Sequence, residues 1–454
     1  VDIQFGFAWS KVTRASATEN QFLRTYLSFS ESGAKGKKRV RSLLRAGRMF
    51  PAGLTTRLVA AARAQGFEVF VTSRSSTLTP NEVYSFPGWE PRAHQRQALE
   101  IIYKTPRGLV QHCTGSGKGD LIAFLAAASF TTARVLIITS SIKLVKDLHT
   151  RCQKFGLRAG RLGGGYKEKE RRVIVSTDDS LKLFTEAELA TFKVVLVDEA
   201  HMVAAQALWT TLMRCLNAER RYGFSATPLD RADRKGLYIV GALGGAIHKY
   251  SPQQAERDGV ISKCRLRMIA HENKPVATGD GYTSWESEAI ANNFLRNQKV
   301  LRLIGEYPAP RIVFVRTKEH QAELVRRIGA LFCVAVNDES SAEELDAALD
   351  KLKRGAVPTL VSTPILRQGI DIAEVATVIN AAGGKAVIDV IQKIGRGSRR
   401  NLGNGQTKDD FWVVDFDDRG CGCLGAHKSC EWFERHSQLR RKAYRKYGYT
   451  VIDI

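Results

Sequence analysis

Apolar Ile3, Phe5, Phe7 and Trp9 alternate with Asp2, Gln4, Gly6 and Ala8, the two-residue period of a half-buried strand. The alternation predicts one strand over residues 1–9, with Trp9 in the core. Pro51-Ala52-Gly53 opens a helix over 54–65, Gly66 ends it, and 67–72 reads as a strand. A Ser, Thr and Pro-rich stretch at 73–81 and a Pro87-Gly88 turn mark a linker. Residues 1–88 are therefore expected to form a small α+β domain. From Pro91 onward short apolar strands alternate with helical segments, first at 108–112, 135–139, 173–176, 194–197 and 222–225. After a run at 265–270 the rhythm resumes at 311–315, 332–336, 359–362, 377–380 and 411–415. Strands in alternation with helices build parallel sheets covered on both faces. The expected fold class is α/β, with two tandem doubly wound lobes at 89–262 and 263–454 joined near 259–263. Residues 424–447, rich in charge, predict a closing helix.

A length of 454 residues suits two or three domains. With 44% hydrophobic and 25% charged residues, the chain reads as an ordinary globular protein, which excludes collagen-like, disordered and membrane classes. No apolar run approaches the ~20 residues of a spanning helix, and residues 1–5 lack a signal-peptide pattern. A cytoplasmic location without a membrane partner is the expectation, the host cytoplasm if a phage encodes the chain. Eight cysteines are too few for a disulfide scaffold. Charge changes the picture more: 69 Lys and Arg against 46 Asp and Glu leave a net +23, which calls for a polyanionic partner. Residues 1–88 hold 13 basic and 5 acidic residues, concentrated in the basic run from Lys35 to Arg48.

The strand at 108–112 runs into Cys113-Thr114-Gly115-Ser116-Gly117-Lys118 and then a helix over 120–129. Such a loop points backbone N–H groups at a phosphate, the helix N-terminus adds a favourable dipole, and Lys118 reaches the outer phosphates. Two positions depart from the consensus: His112 stands where its first Gly belongs, and Gly119 replaces the Ser or Thr whose hydroxyl binds Mg²⁺. Asp198 and Glu199 end the buried run at 194–197, at the sheet edge where ligands bind in α/β folds. Asp198 there is placed to hold Mg²⁺ and Glu199 to orient and deprotonate a water; Asp120 reads first as an N-terminal helix cap and second as a helper to the metal. Replacing Gly119 by Thr is expected to preserve or raise whatever phosphate chemistry this loop supports.

Residues 114–118, Asp198-Glu199-Ala200-His201, Ser225-Ala226-Thr227 and Gln392-Lys393-Ile394-Gly395-Arg396-Gly397-Ser398-Arg399 resemble motifs I, II, III and VI of the superfamily 2 helicases. The resemblance covers about residues 89–420 and implies two RecA-like lobes that bind ATP, with Mg²⁺, between them. It implies that Arg92 and Gln95 read adenine, that Thr114, Gly115, Ser116, Gly117, Lys118 and Gly119 cradle the phosphates, and that Gly369 and Asp371 lie near the ribose. Gln392, Arg396 and Arg399 would reach the γ-phosphate from the second lobe, where arginine's planar fork neutralises charge spread over several oxygens. Ser225 and Thr227 would couple hydrolysis to lobe movement.

The family grips nucleic-acid phosphates with amides and short hydroxyls, and matching strand ends carry Thr139-Ser140, Ser176-Thr177, Arg316-Thr317 and Ser362-Thr363. The basic N-terminal domain before a compact motor resembles phage branch-migrating recombination helicases of the UvsW type. In that resemblance Lys37, Lys38, Arg39 and Arg41 hold duplex arms of forked or four-way DNA, recombination or replication proteins are partners, and no oligomer is required. An RNA helicase and the motor subunit of a restriction endonuclease share the motifs and stay open. Cys421, Cys423, His427, Cys430 and His436 lack the paired C-x₂-C units of a structural zinc site, and 427–447 reads as helix instead.

Overall fold

The computed structural model describes residues 1–32, 38–73, 76–229, 235–272, 286–363, 374–384, 400, 407–419 and 428–454. It falls into two compact units, Val1–His112 with Gly117–Tyr250, and Cys113–Ser116 with Ser251–Ile454.

The first unit opens with β1 (Asp2–Phe5), β2 (Trp9–Arg14), β3 (Ser28–Ser32), β4 (Lys38–Ser42), β5 (Met49–Pro51) and β6 (Phe70–Ser73). A four-stranded sheet runs β5-β2-β1-β6, and β3 pairs with β4 alone. The single strand expected over 1–9 is thus two antiparallel strands with Ile3 opposite Val12. The reversal needs Gly6, because a Cβ there would sit 2.2 Å from the Trp9 carbonyl oxygen.

The same unit holds β7 (Arg107–His112), β8 (Val135–Thr139), β9 (Gly160–Gly163), β10 (Tyr166–Lys167), β11 (Val173–Thr177), β12 (Val194–Asp198), β13 (Arg220–Ser225) and β14 (Ala246–Tyr250). They form one sheet in the order β10-β9-β11-β8-β12-β13-β7-β14, parallel except for β9 against β10. The helix expected at 120–129 is α-helical over Lys118–Phe124 and closes with a π-helical turn, Leu125–Ser129.

The N-terminal residues are fused to this sheet through one hydrophobic cluster that includes Ile3, Val12, Leu54, Trp209, Tyr238 and Leu243. Trp9 meets the Trp209 ring edge-on at 6.0 Å, and the Arg45 guanidinium lies 4.3 Å from the centre of Trp9 and 5.6 Å from that of Trp209. Phe29 packs on Tyr238, and Arg107 donates to the Phe7 carbonyl at 2.7 Å. The linker expected at 73–81 is also fastened. Glu219, 2% exposed, accepts from Ser76 Oγ and Thr77 N at 2.8 Å and from Leu78 N at 3.0 Å.

The second unit carries β15 (Lys263–Glu272), β16 (Arg311–Phe314), β17 (Cys333–Val336), β18 (Thr359–Ser362), β19 (Thr377–Asn380), β20 (Asp410–Arg419) and β21 (Val451–Asp453). This sheet, ordered β17-β18-β16-β19-β20-β15-β21, is parallel throughout. The closing helix spans Lys428–Lys446 and buries Arg440 and Tyr444 against Asp415, at 2.8 and 2.6 Å. No helix among the described residues is long and apolar enough to cross a membrane.

Candidate functional site

Parallel register sets the site. Asp198 pairs with Phe224 and Ser225 with Gln111, so the carboxyl ends of β12, β13 and β7 finish side by side. The phosphate-loop candidate leaves β7 there. Gly115 and Gly117 have φ of 84° and 86°, a left-handed backbone that disfavours any side chain. A Cβ on Gly117 would also lie 2.7 Å from Gln95 Nε2 and 3.4 Å from Arg92 Nη1. Gln95 is 2% exposed; its Oε1 accepts the Arg92 N–H at 2.9 Å and its Nε2 donates to the Gly117 carbonyl at 3.0 Å. The amide expected to read adenine therefore braces the loop. Ser116 Oγ donates to the Cys113 carbonyl at 2.7 Å, Thr114 is half-buried, and Lys118 Nζ rests on the His112 carbonyl at 3.1 Å.

The two departures from the consensus have separate causes. His112 points away from the loop into a cluster in which its Nε2 meets His248 Nδ1 at 2.7 Å, beside His94 stacked on Tyr250 at 3.8 Å. Burial first, then the neighbouring His248, His94 and Lys118, hold its pKa well below the usual histidine range, so the ring is neutral. At Gly119 the space for a Cβ is filled, with Arg151 Cδ and Nε 3.0 Å away. Arg151 is itself held by Asp120 at 2.5 Å and Asp147 at 2.9 Å. Asp120 Oδ1 is thus engaged by Arg151, and a side chain at 119 would need Arg151 to give way by a few tenths of an ångström.

Asp198 fits a divalent cation. Burial, and next the Glu199 carboxylate, push its pKa up to about 7, with Lys118 pulling the other way. A carboxylate that is costly to ionise alone is stabilised by a bound cation. Glu199 stands in the left-handed region at φ 52°, ψ 53°, a strain of ~1–2 kcal/mol for a residue with a Cβ. Its N–H donates to Asp198 Oδ1 at 3.0 Å, and its Oε2 lies 3.3 Å from His201 Nδ1. His201 Nδ1 is also 3.4 Å from Ser225 Oγ, which accepts the Thr227 N–H at 3.3 Å. Gln111 Nε2 donates to the Ala226 carbonyl at 3.3 Å. A chain of contacts therefore joins Glu199 to Ser225-Ala226-Thr227. Neither the bridging position of His201 nor the brace from Gln111 was foreseen; a polar residue facing out near the end of a core strand was the available signal.

The strand-end hydroxyls are mostly spent internally. Ser176 Oγ donates to the Thr177 carbonyl at 2.8 Å, Thr177 Oγ1 meets Ser180 Oγ at 2.7 Å, and Ser362 Oγ donates to the Thr363 carbonyl at 2.7 Å. Thr317 caps the helix Lys318–Ile328 by accepting the His320 N–H, and Arg316 pairs with Glu286 at 3.2 Å. The hydroxyls of Thr139, Ser140 and Thr363 are buried and have no partner; Ser141, one position on, makes the helix cap. Lys38, Arg39 and Arg41 lie on β4. Lys37, Gly369, Asp371, Gln392, Arg396 and Arg399 lie outside the described residues.

Residues 88–230 match the family described as Type III restriction enzyme, res subunit, and residues 296–401 match the helicase conserved C-terminal domain. The two matches fall on the two parallel-sheet lobes in order. The chain belongs to the superfamily 2 helicases. It is thereby an ATP-dependent helicase family member, a nucleoside triphosphate hydrolase. The chain is 23% identical over 349 residues to the DNA 3'-5' translocase XPB2 of Sulfurisphaera tokodaii, covering 68% of this chain and 78% of that protein. It is 22% identical over 312 residues to the DNA 3'-5' helicase XPB of Mycobacterium tuberculosis, covering 65% of this chain and 55% of that longer relative. The crystal structure of T4 UvsW aligns over 100% of this chain and 99% of its own at 17% identity, with a TM-score of 0.48.

Proposed function

We propose that this chain is an ATP-driven DNA translocase that remodels branched DNA, forks and four-way junctions. The observation that carries the motor reading is the convergence at one sheet edge of the braced loop, Asp198-Glu199 and Ser225-Ala226-Thr227. In this reading the loop amides and Lys118 bind the triphosphate, Lys118 leaving the His112 carbonyl to do so. Glu199 orients the attacking water and takes its proton, and His201 passes the state of that carboxylate to Ser225. Mg²⁺, which Asp198 would hold, supplies charge neutralisation on the phosphates. By the motif resemblance, Arg396 and Arg399 would add to that neutralisation.

The DNA reading follows the XPB2 and XPB relatives, a DNA translocase and a DNA helicase; pre-mRNA-splicing RNA helicases, up to 33% identical over 68% of this chain, make RNA the rival substrate. The branch role is supported by the basic N-terminal residues and by their fusion to the first lobe. A duplex arm held by Arg41 and its neighbours moves as one body with that lobe, so each cycle of the motor works against the arm. Phosphate contacts of this kind weaken steeply with salt. The test is ATP hydrolysis with forked DNA, single-stranded DNA and RNA, followed by migration of a four-way junction. The reading expects the strongest stimulation by forked DNA and junction migration that needs ATP. Stronger stimulation by RNA overturns the DNA assignment, and strong stimulation with a stationary junction removes the branch role.

A further inference from the structure

We propose that Arg151 is a positioning residue that ties the phosphate loop to the helix behind Thr139-Ser140, and that Gly119 lacks a side chain because Arg151 lies there. The inference rests on the ATP-driven reading above and adds a residue that none of the motifs contains.

Arg151 belongs to the last turn of the helix Ile142–Lys154, whose first turn Ser141 caps by accepting the Leu144 N–H at 3.3 Å. Its Nη1 contacts Asp120 Oδ1 at 2.5 Å and its Nε contacts Asp147 Oδ2 at 2.9 Å. Asp120 sits in the first turn of the helix that leaves the loop, so the pair joins that turn to the far end of the neighbouring helix. The side chain is 22% exposed and that of Asp120 is 32% exposed. A charge-assisted contact with so little solvent around it resists screening better than a surface pair.

Gly119 completes the arrangement. A Cβ there would stand 3.0 Å from Arg151 Cδ and Nε and 3.4 Å from Cζ, closer than ordinary van der Waals contact. The Arg151 side chain therefore lies beside the position where the consensus hydroxyl residue would stand. At ~1.5 Å per residue, the helix spans about 14 Å between Ile142 and Arg151. Its first turn follows directly on β8 and Ser140, at the strand end the family uses for nucleic acid. A shift of the loop on nucleotide binding moves Asp120, and Arg151 carries that shift along the helix to Thr139-Ser140. Both ends of this strut lie within the first unit.

The test compares wild type, Arg151→Ala, Arg151→Lys, Gly119→Thr and the double Gly119→Thr/Arg151→Ala, each checked for an unchanged melting temperature. Two quantities are read: the ratio of DNA-stimulated to unstimulated kcat, and the dissociation constant of ADP by calorimetry with and without Mg²⁺. Arg151→Ala is expected to lower the stimulation ratio at least fivefold while unstimulated kcat stays within twofold, and Arg151→Lys to recover part of it. Gly119→Thr is expected to lower the ratio as well, and the double variant to be no worse than the worse single one, because both singles remove one contact. Full stimulation in Arg151→Ala, or single effects that add, overturns the proposal. So does a rise in stimulated turnover for Gly119→Thr with Arg151 present. If neither DNA nor RNA stimulates the wild type, the motor reading fails, and the strut is judged on ADP affinity alone. Non-additive losses from Gly119→Thr and Arg151→Ala then uphold it, and additive or absent losses sink it.

Discussion

Gln95→Ala separates two roles for the same amide. Adenine reading is what the motif resemblance implies; loop bracing is what the contacts show. The substitution removes two hydrogen bonds from a side chain that is 2% exposed. The Arg92 N–H lies at an exposed helix start and recovers a bond to water at little cost. The Gly117 carbonyl, half-buried beside the loop, loses the donor 3.0 Å away, which costs about 1–3 kcal/mol. Gly117 then no longer has its left-handed turn fixed for phosphate, so that cost falls mainly on nucleotide binding. At 1.4 kcal/mol per decade, the dissociation constant rises about 5- to 150-fold. Gln95→Glu retains an acceptor for Arg92 but sets a carboxylate oxygen against the Gly117 carbonyl in a buried site, so it is expected to bind nucleotide more weakly than the alanine variant. The assay is calorimetric titration of non-hydrolysable ATP and GTP analogues into each variant. Bracing predicts equal fractional losses for both nucleotides, since the loop touches only phosphates. A loss confined to the adenine nucleotide, with guanine binding untouched, would refute the bracing argument.

Glu199→Gln is expected to keep nucleotide and DNA binding while cutting turnover by about 10²–10⁴-fold, measured by steady-state hydrolysis beside equilibrium binding. A chain shortened to 89–454 uncovers Trp209, Tyr238 and Leu243, now packed on the N-terminal residues; it is expected to be recovered as aggregate, and a soluble monomer with normal melting would show the N-terminal part to be an independent domain. Charge reversal at Arg41 is the cleaner probe of DNA contact, lowering the salt slope of binding by about one with unchanged basal hydrolysis. Burial alone would raise the Glu219 pKa, but its bonds to Ser76, Lys193, Leu78 and Thr77 bring it down to about 2. A carboxylate depressed on folding stabilises the native state above its unfolded pKa near 4.5 and loses that stabilisation as pH falls toward 2. Proteolysis within residues 73–81 should therefore quicken as pH drops through that window, and Glu219→Gln should abolish the pH dependence. Arg440→Met leaves Asp415 buried without its cation and is expected to cost about 3–5 kcal/mol in urea unfolding.

The parallel core was legible because each inner strand is an unbroken apolar run ending in small or acidic residues, and Val135–Thr139, Thr359–Ser362 and Thr377–Asn380 begin and end where that pattern does. The edges were not. Gly160–Gly163 and Tyr166–Lys167 are joined through Gly164 and Gly165 with positive φ, and so many glycines read as loop. The reversal at Gly6 was hidden because Trp9 resumes the two-residue alternation in phase on the far side of the turn. The loop, Asp198 and Glu199 were visible as short motifs, since their chemistry needs neighbours in sequence. Arg151 was invisible: its partner Asp120 is 31 residues away, and its spacing to Asp147 signals only an ordinary pair on one helix face. A missing hydroxyl at Gly119 looked like a lost metal ligand because sequence shows what a position lacks and not what occupies its space.

The same limit applies to the nucleic-acid track, where the two lobes answer it alike. Ser176 and Ser362 each donate to the carbonyl of the next residue, at 2.8 and 2.7 Å, and each is fully buried. A hydroxyl so committed holds its own strand end. Two lobes of unlike sequence thus repeat one side-chain bond at corresponding strand ends. If phosphate is gripped at these strand ends, as the motif resemblance implies, backbone groups would make the contact and the serines would act one step removed. Ser176→Ala and Ser362→Ala are accordingly expected to weaken single-strand binding while leaving its salt slope unchanged, because no ionic contact is lost. Substitution by Thr keeps the hydroxyl and should restore affinity if the pocket admits one methyl group. A salt slope that falls in the alanine variants would place the track on charged side chains instead, and would return the weight of the argument to Arg316 and the basic residues of β4.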